Sequence, residues 1–146
     1  MPRIPDGAVR FAAGLLVALG LGAGAARAHA MNWNQLGDID TIQILTTDED
    51  GSTRTTTIWL AVRKGEGYVR TGNTHWGANL ERNTEVVVRI AGTEYPLRAS
   101  RVKDRGVFDE VMEVFHQKYG FMDTLTGVIR SDPKIFRLDP RQALGS

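Results

Sequence analysis

The chain changes its hydrophobic period several times after residue 40, and each change marks an element. Thr41 to Thr47 (TIQILTT) alternates and reads as a strand, and Asp48-Glu49-Asp50-Gly51-Ser52 is a turn cluster that makes it the first arm of a hairpin. The run from Thr53 to Arg63 is dense in β-branched side chains, which are stiff at χ1 and favour a pleated surface. Gly65-Glu66-Gly67 turns the chain into Tyr68-Val69-Arg70-Thr71, so three strands joined by tight turns are expected as a meander. His75 to Arg82 loses the alternation and sets Trp76 and Leu80 four apart, on one face of a helix, with Asn73 or Thr74 as its N-cap. Glu85 to Ile90 is an apolar strand, and Ala91-Gly92-Thr93-Glu94 turns it into Tyr95 to Arg101, where Pro96 suggests an edge or a bulge. Val107 to Tyr119 carries a broad apolar stripe and is stopped by Gly120, the strongest helix in the chain. Residues 121–131 leave a short helix over the core open, and Lys134 to Leu138 reads as a last strand.

The predicted order is β-β-β-α-β-β-α-β. It specifies an α+β domain: a small barrel of about six mostly antiparallel strands with two or three helices packed outside it. Met31 to Asp40 suits a first helical turn or a loop.

The first thirty residues follow different rules. Arg3 and Arg10 make the front basic, Phe11 to Ala26 is uncharged, and Ala28-His29-Ala30 puts small residues where a signal peptidase admits them. The apolar run is short of the ~20 residues a spanning helix needs. Residues 1–30 are therefore expected to be a cleavable signal peptide, cut after Ala30 or Ala28, leaving residues 31–146 as one periplasmic or secreted domain without a stable membrane anchor.

This division changes the charge. The whole chain carries a formal +1, and removing Arg3, Arg10, Arg27 and Asp6 leaves about −1. No basic stripe remains of the kind that nucleic-acid binding requires. The absence of cysteine excludes disulfides, thiolate nucleophiles and cysteine metal sites. His75 and His116 have no third ligand at metal spacing, and Ser52, Ser100 and Ser131 lie in no nucleophile motif, so neither a metal centre nor a hydrolase is expected. No catalytic acid or base stands out. Trp59 and Trp76 suit either stacking on a ring or core packing.

The segment Tyr68 to Ile90 (YVRTGNTHWGANLERNTEVVVRI), preceded by Thr53-Arg54-Thr55-Thr56-Thr57-Ile58-Trp59, resembles the split β-barrel flavin-binding superfamily, which includes pyridoxamine-phosphate oxidases and deazaflavin-dependent nitroreductases. The likeness runs from about Thr41 to Pro140. It implies a homodimer with FMN or a deazaflavin at the subunit interface, its phosphate held by Arg54, Thr55 and Thr56 on one strand and by Arg70, Thr71, Asn73 and Thr74 around the turn, with His75 and Trp76 at the helix start. Guanidinium forks and hydroxyl donors are the groups that hold a phosphate. Members with firm flavin binding carry Ser-Arg-Lys where this chain has His75-Trp76-Gly77, which removes two permanent charges; a histidine restores one only in part at neutral pH. Two functions follow: a flavin- or deazaflavin-dependent oxidoreductase, or a non-catalytic binding or interaction domain that kept the barrel and carries no cofactor.

Overall fold

A computed structural model describes residues 31–120 and 132–141. Its strands are β1 (Thr41–Thr47), β2 (Thr53–Trp59), β3 (Ala61–Arg63), β4 (Glu66–Thr71), β5 (Glu85–Ile90), β6 (Thr93–Arg101) and β7 (Lys134–Pro140), with helices α1 (His75–Arg82) and α2 (Arg105–Tyr119) and a 3-10 turn at Trp33–Leu36. All ladders are antiparallel, in the order β2-β1-β5-β6-β7-β4-β3. β2 and β3 thus lie at opposite edges of the sheet, although Leu60 alone separates them in the chain. Edges joined by one residue can exist only if the sheet curls until its ends meet. The result is a curled, seven-stranded antiparallel half-barrel, the split-barrel class that the sequence predicts.

The run 53–63, expected as one strand, is two, so seven strands replace about six. Its halves pair with different partners: β2 with β1 through Ile42↔Ile58, and β3 with β4 through Ala61↔Tyr68. The expected three-strand meander is therefore two hairpins, one at each end of the sheet. Leu60 leaves both ladders, and α2 replaces the lost partners. The Leu60 N–H donates to the Tyr119 hydroxyl at 3.0 Å, and Lys118 Nζ donates to the Leu60 carbonyl at 2.8 Å. A buried backbone group needs such a partner.

Register sorts the side chains into two layers. On one face Ile42, Ile44, Ile58, Val69, Val86, Val88, Leu97, Ala99 and Leu138 are buried. On the other, Ala61, Tyr68 and Ile135 pack under Val111 and Phe115 of α2. β4 is covered on both faces, and its residues from Gly67 to Thr71 are buried without alternation. Pro96 lies in β6, inside the sheet, yet pairing with β7 begins only at Leu97, so its position is locally an edge.

The caps explain both helix starts. Thr74 has extended backbone and its hydroxyl accepts from the Gly77 N–H. α2 starts two residues before the expected Val107, because Asp104 caps it by accepting from the Val107 N–H at 2.9 Å. The expected leader and the open reading of 121–131 lie outside the described residues.

Candidate functional site

β3 is short, and beyond Tyr68 the strand β4 loses its β3 partner. There, at the seam where the ends of the sheet meet, a cavity of about 190 Å³ opens. β2 contributes Thr57, Ile58 and Trp59, β4 contributes Arg70 and Thr71, the start of α1 contributes Thr74 and Trp76, and α2 contributes Phe115.

Arg70 is opposite Ile135 in the ladder, which turns its side chain to the face covered by α2. It is 7% exposed, with its guanidinium carbon 4.7 Å from the centre of the Phe115 ring and 6.0 Å from that of Trp59. Its Nη1 also approaches the Met112 sulfur at 3.9 Å. Cation–π contacts are strengthened by desolvation, and a charge so withdrawn from water acts strongly on any anion brought to it. Trp59 is fixed from behind by Tyr119, stacked at 4.0 Å with the planes 4° apart.

Across the seam, Thr71 Oγ1 and Thr74 Oγ1 are 2.5 Å apart, and Thr74 Oγ1 accepts from the Gly77 N–H at 3.0 Å. A Cβ on Gly77 would lie 2.5 Å from Thr71 Oγ1, so only glycine lets α1 approach this hydroxyl pair. The cavity thus joins a buried guanidinium, three threonine hydroxyls and three aromatic rings. Among the described residues that line it there is no carboxylate and no imidazole. Such a set of groups is chemically suited to contacts with rings and with hydrogen-bond acceptors.

Of the nine residues singled out from the sequence, the structure brings Arg70, Thr71, Thr74 and Trp76 together. It does not bring Arg54, Thr55, Thr56, Asn73 or His75 to the cavity. Arg54 turns away because its Nε donates to Asp48 Oδ1 at 2.8 Å, at the turn of the β1–β2 hairpin. Asn79 of α1 donates to the same oxygen at 2.8 Å and to Thr46 Oγ1 at 2.9 Å. These bonds, Arg54's first and Asn79's next, hold the Asp48 carboxyl below its ordinary range, and the charge of His75 adds a smaller pull in the same direction. Thr55, Asn73 and His75 are exposed, and Thr56 is half-buried opposite Ile44. Thr57, Ile58 and Phe115 also line the cavity, and nothing local in the sequence marks them for it. Threonine alternation on β2 pointed to the strand but not to its face, and Phe115 is placed by a contact far off in sequence.

No curated protein matches the sequence. Solved structures do match in fold. HutZ, the heme storage protein from Vibrio cholerae, is 22% identical with a TM-score of 0.58 over 71% of this chain and 83% of that one. An F420-H2 dependent reductase, FDR-A, is 14% identical with a TM-score of 0.56 over 69% and 95%. A chain described as a domain-swapped dimer is 14% identical with a TM-score of 0.58 over 70% and 81%. These neighbours have the split-barrel fold of the pyridoxamine-phosphate-oxidase kind. Residues 32–135 match a family model described as an uncharacterized protein conserved in bacteria (DUF2255).

Proposed function

The chain belongs to the bacterial family DUF2255, and from that premise we propose that it binds a planar, flavin-type small molecule with an anionic end in the seam of its barrel. The observation that carries this reading is Arg70, buried beside Phe115 and Trp59 at the wall of a cavity that Thr71 and Thr74 also line. A guanidinium offers several planar N–H donors at once, the kind of group that meets an anionic ligand end beside aromatic rings.

The donor set fits part of a flavin. Trp59, Trp76 and Phe115 offer faces and edges to a ring system, and Arg70 offers donors to an anionic tail. Redox chemistry, when such a group is bound, is the group's own, and the protein supplies orientation and exclusion of water. The absence of any carboxylate or imidazole among the described lining residues favours binding and positioning over acid–base catalysis. The same observation supports the second reading, a non-catalytic binding domain of the same pocket. That one neighbour is an F420-H2 dependent reductase and another a heme storage protein supports a planar ligand in either reading.

Titration of the purified chain with flavins, followed by quenching of their fluorescence, is expected to give 1:1 saturation in the micromolar range. Arg70→Gln should weaken binding by about 1.5–3 kcal/mol, the range for a charge-assisted bond, while Arg54→Ala leaves it unchanged. No saturation by any flavin at millimolar concentration overturns the proposal. An equal loss in both variants would move the anion site to the hairpin at Asp48.

The proposal includes export and self-association. The leader composition supports the first, and the domain-swapped neighbour supports the second. N-terminal sequencing and sedimentation of protein recovered outside the cytoplasm should give a start at Met31 or His29 and twice the chain mass. An intact leader or a monomer overturns the respective part.

A further inference from the structure

We infer that Thr74 receives a hydrogen-bond donor from the ligand, an N–H of the kind carried on the imide edge of a flavin ring, and that a phosphate or carboxylate oxygen is turned away at this wall. The inference rests on the ligand class proposed above and names the part of that ligand that meets α1.

Adjacent residues of a strand point to opposite faces. Arg70 turns to the face covered by α2, and Thr71 turns to the other, where its hydroxyl meets the start of α1. The two residues therefore meet different parts of a bound molecule. Thr71 is 1% exposed and closed over by Gly77. Thr74, half-buried at the N-cap of α1, is the hydroxyl of this pair that a ligand reaches.

A hydroxyl has one hydrogen and two acceptor lone pairs. Thr71 gives its hydrogen to the Gly72 carbonyl at 3.3 Å, a carbonyl that also accepts from the Thr74 N–H at 3.0 Å. The 2.5 Å bond between the two hydroxyls is then donated by Thr74 to Thr71. The Gly77 N–H takes one lone pair of Thr74 Oγ1 at 3.0 Å. Thr74 is left with one lone pair and no hydrogen. An oxygen in this state pairs with an N–H, whereas a second acceptor brought against it leaves both without a partner, which is costly away from water. The family resemblance assigns Thr71 and Thr74 to a phosphate, whose oxygens are acceptors. The direction of the bonds assigns Thr74 to a ring N–H instead.

Riboflavin and 3-methylriboflavin, in which a methyl group replaces the ring N–H, are titrated into the full chain at neutral pH; neither carries a phosphate. Riboflavin is expected to bind at least tenfold more tightly. Thr74→Asp then separates acceptor from donor, because aspartate is a favoured N-cap and its carboxylate only accepts. It is expected to hold riboflavin within threefold of the wild type or more tightly. Thr74→Gly, a tolerated N-cap without the oxygen, should lose tenfold and bind the two flavins alike. A tenfold loss of riboflavin in Thr74→Asp overturns the inference, because Thr74 is then a donor. Equal binding of the two flavins by the wild type also overturns it and leaves the flavin reading standing. If neither flavin binds, the flavin reading falls and the inference falls with it. The wild-type comparison decides even if a variant does not fold.

Discussion

Gly67→Ala is expected to destabilise the domain by about 3 kcal/mol, at the upper end of the usual cost of overpacking, and to lower its Tm by about 10 °C or more. Gly67 is in β4, paired with Val62 on one side and Leu138 on the other, so its backbone is held from both directions. A Cβ there would fall 2.5–2.6 Å from three ring carbons of Trp33. Trp33 is 4% exposed and sits in a 3-10 turn whose start is tied by the Asn32 side chain, so the indole has no easy retreat. Interiors are close-packed, and a rigid ring cannot yield an ångström without moving its neighbours. Gly37→Ala is the matched control, since nothing lies within 4 Å of a Cβ at that position. If both variants melt with the wild type in a calorimeter, the Trp33 ring does not sit against Gly67.

Tyr119→Ala is expected to cost about 4 kcal/mol, in the range for emptying a large aromatic site. Tyr119→Phe should cost about 1–3 kcal/mol, the penalty for leaving a buried donor without a partner. The hydroxyl accepts from the Leu60 N–H at 3.0 Å and donates to the Asp40 carbonyl at 2.6 Å. The ring stacks on Trp59, and burial raises the phenol's pKa above its ordinary value. Lys118 beside it donates to the carbonyls of Ile39 and Leu60, and burial lowers its pKa. The two variants separate the ring from the hydroxyl. Urea unfolding in which Tyr119→Phe matches the wild type would show that Leu60 draws its hydrogen bond from another source.

Most of this fold is legible in local pattern. The alternation of Ile42, Ile44 and Thr46, the stripe of α2 and the stop at Gly120 act through neighbours in the chain, and they find the elements to within a few residues. The break at Leu60 is not local. Nothing in Ile58-Trp59-Leu60-Ala61 marks a bend, because the groups that stabilise it, Lys118 and Tyr119, come from the far end of α2. The start of α2 is hidden for another reason: Gly106 weakens the first turn, and only the geometry of Asp104 shows the cap. At the cavity, Arg70, Thr71, Thr74 and Trp76 are legible together because they share one short stretch. Arg54 matches them by residue type alone, and Asp48, six residues before it, is the competitor that the sequence shows. Phe115 belonged to a core stripe and gained a wall of the cavity only through packing.

The single residue between β2 and β3 has a last consequence. A sheet closed by Leu60 is a strap whose buckle is covalent on one side and held by α2 on the other. The cavity lies beside that buckle, between strands that no ladder joins. A ligand in it would touch both free ends of the strap and act as a second rivet. Occupancy and closure are then one equilibrium: whatever opens the ring of strands expels the guest, and whatever guest is held raises the resistance of the ring to opening by RT ln(1 + [L]/Kd).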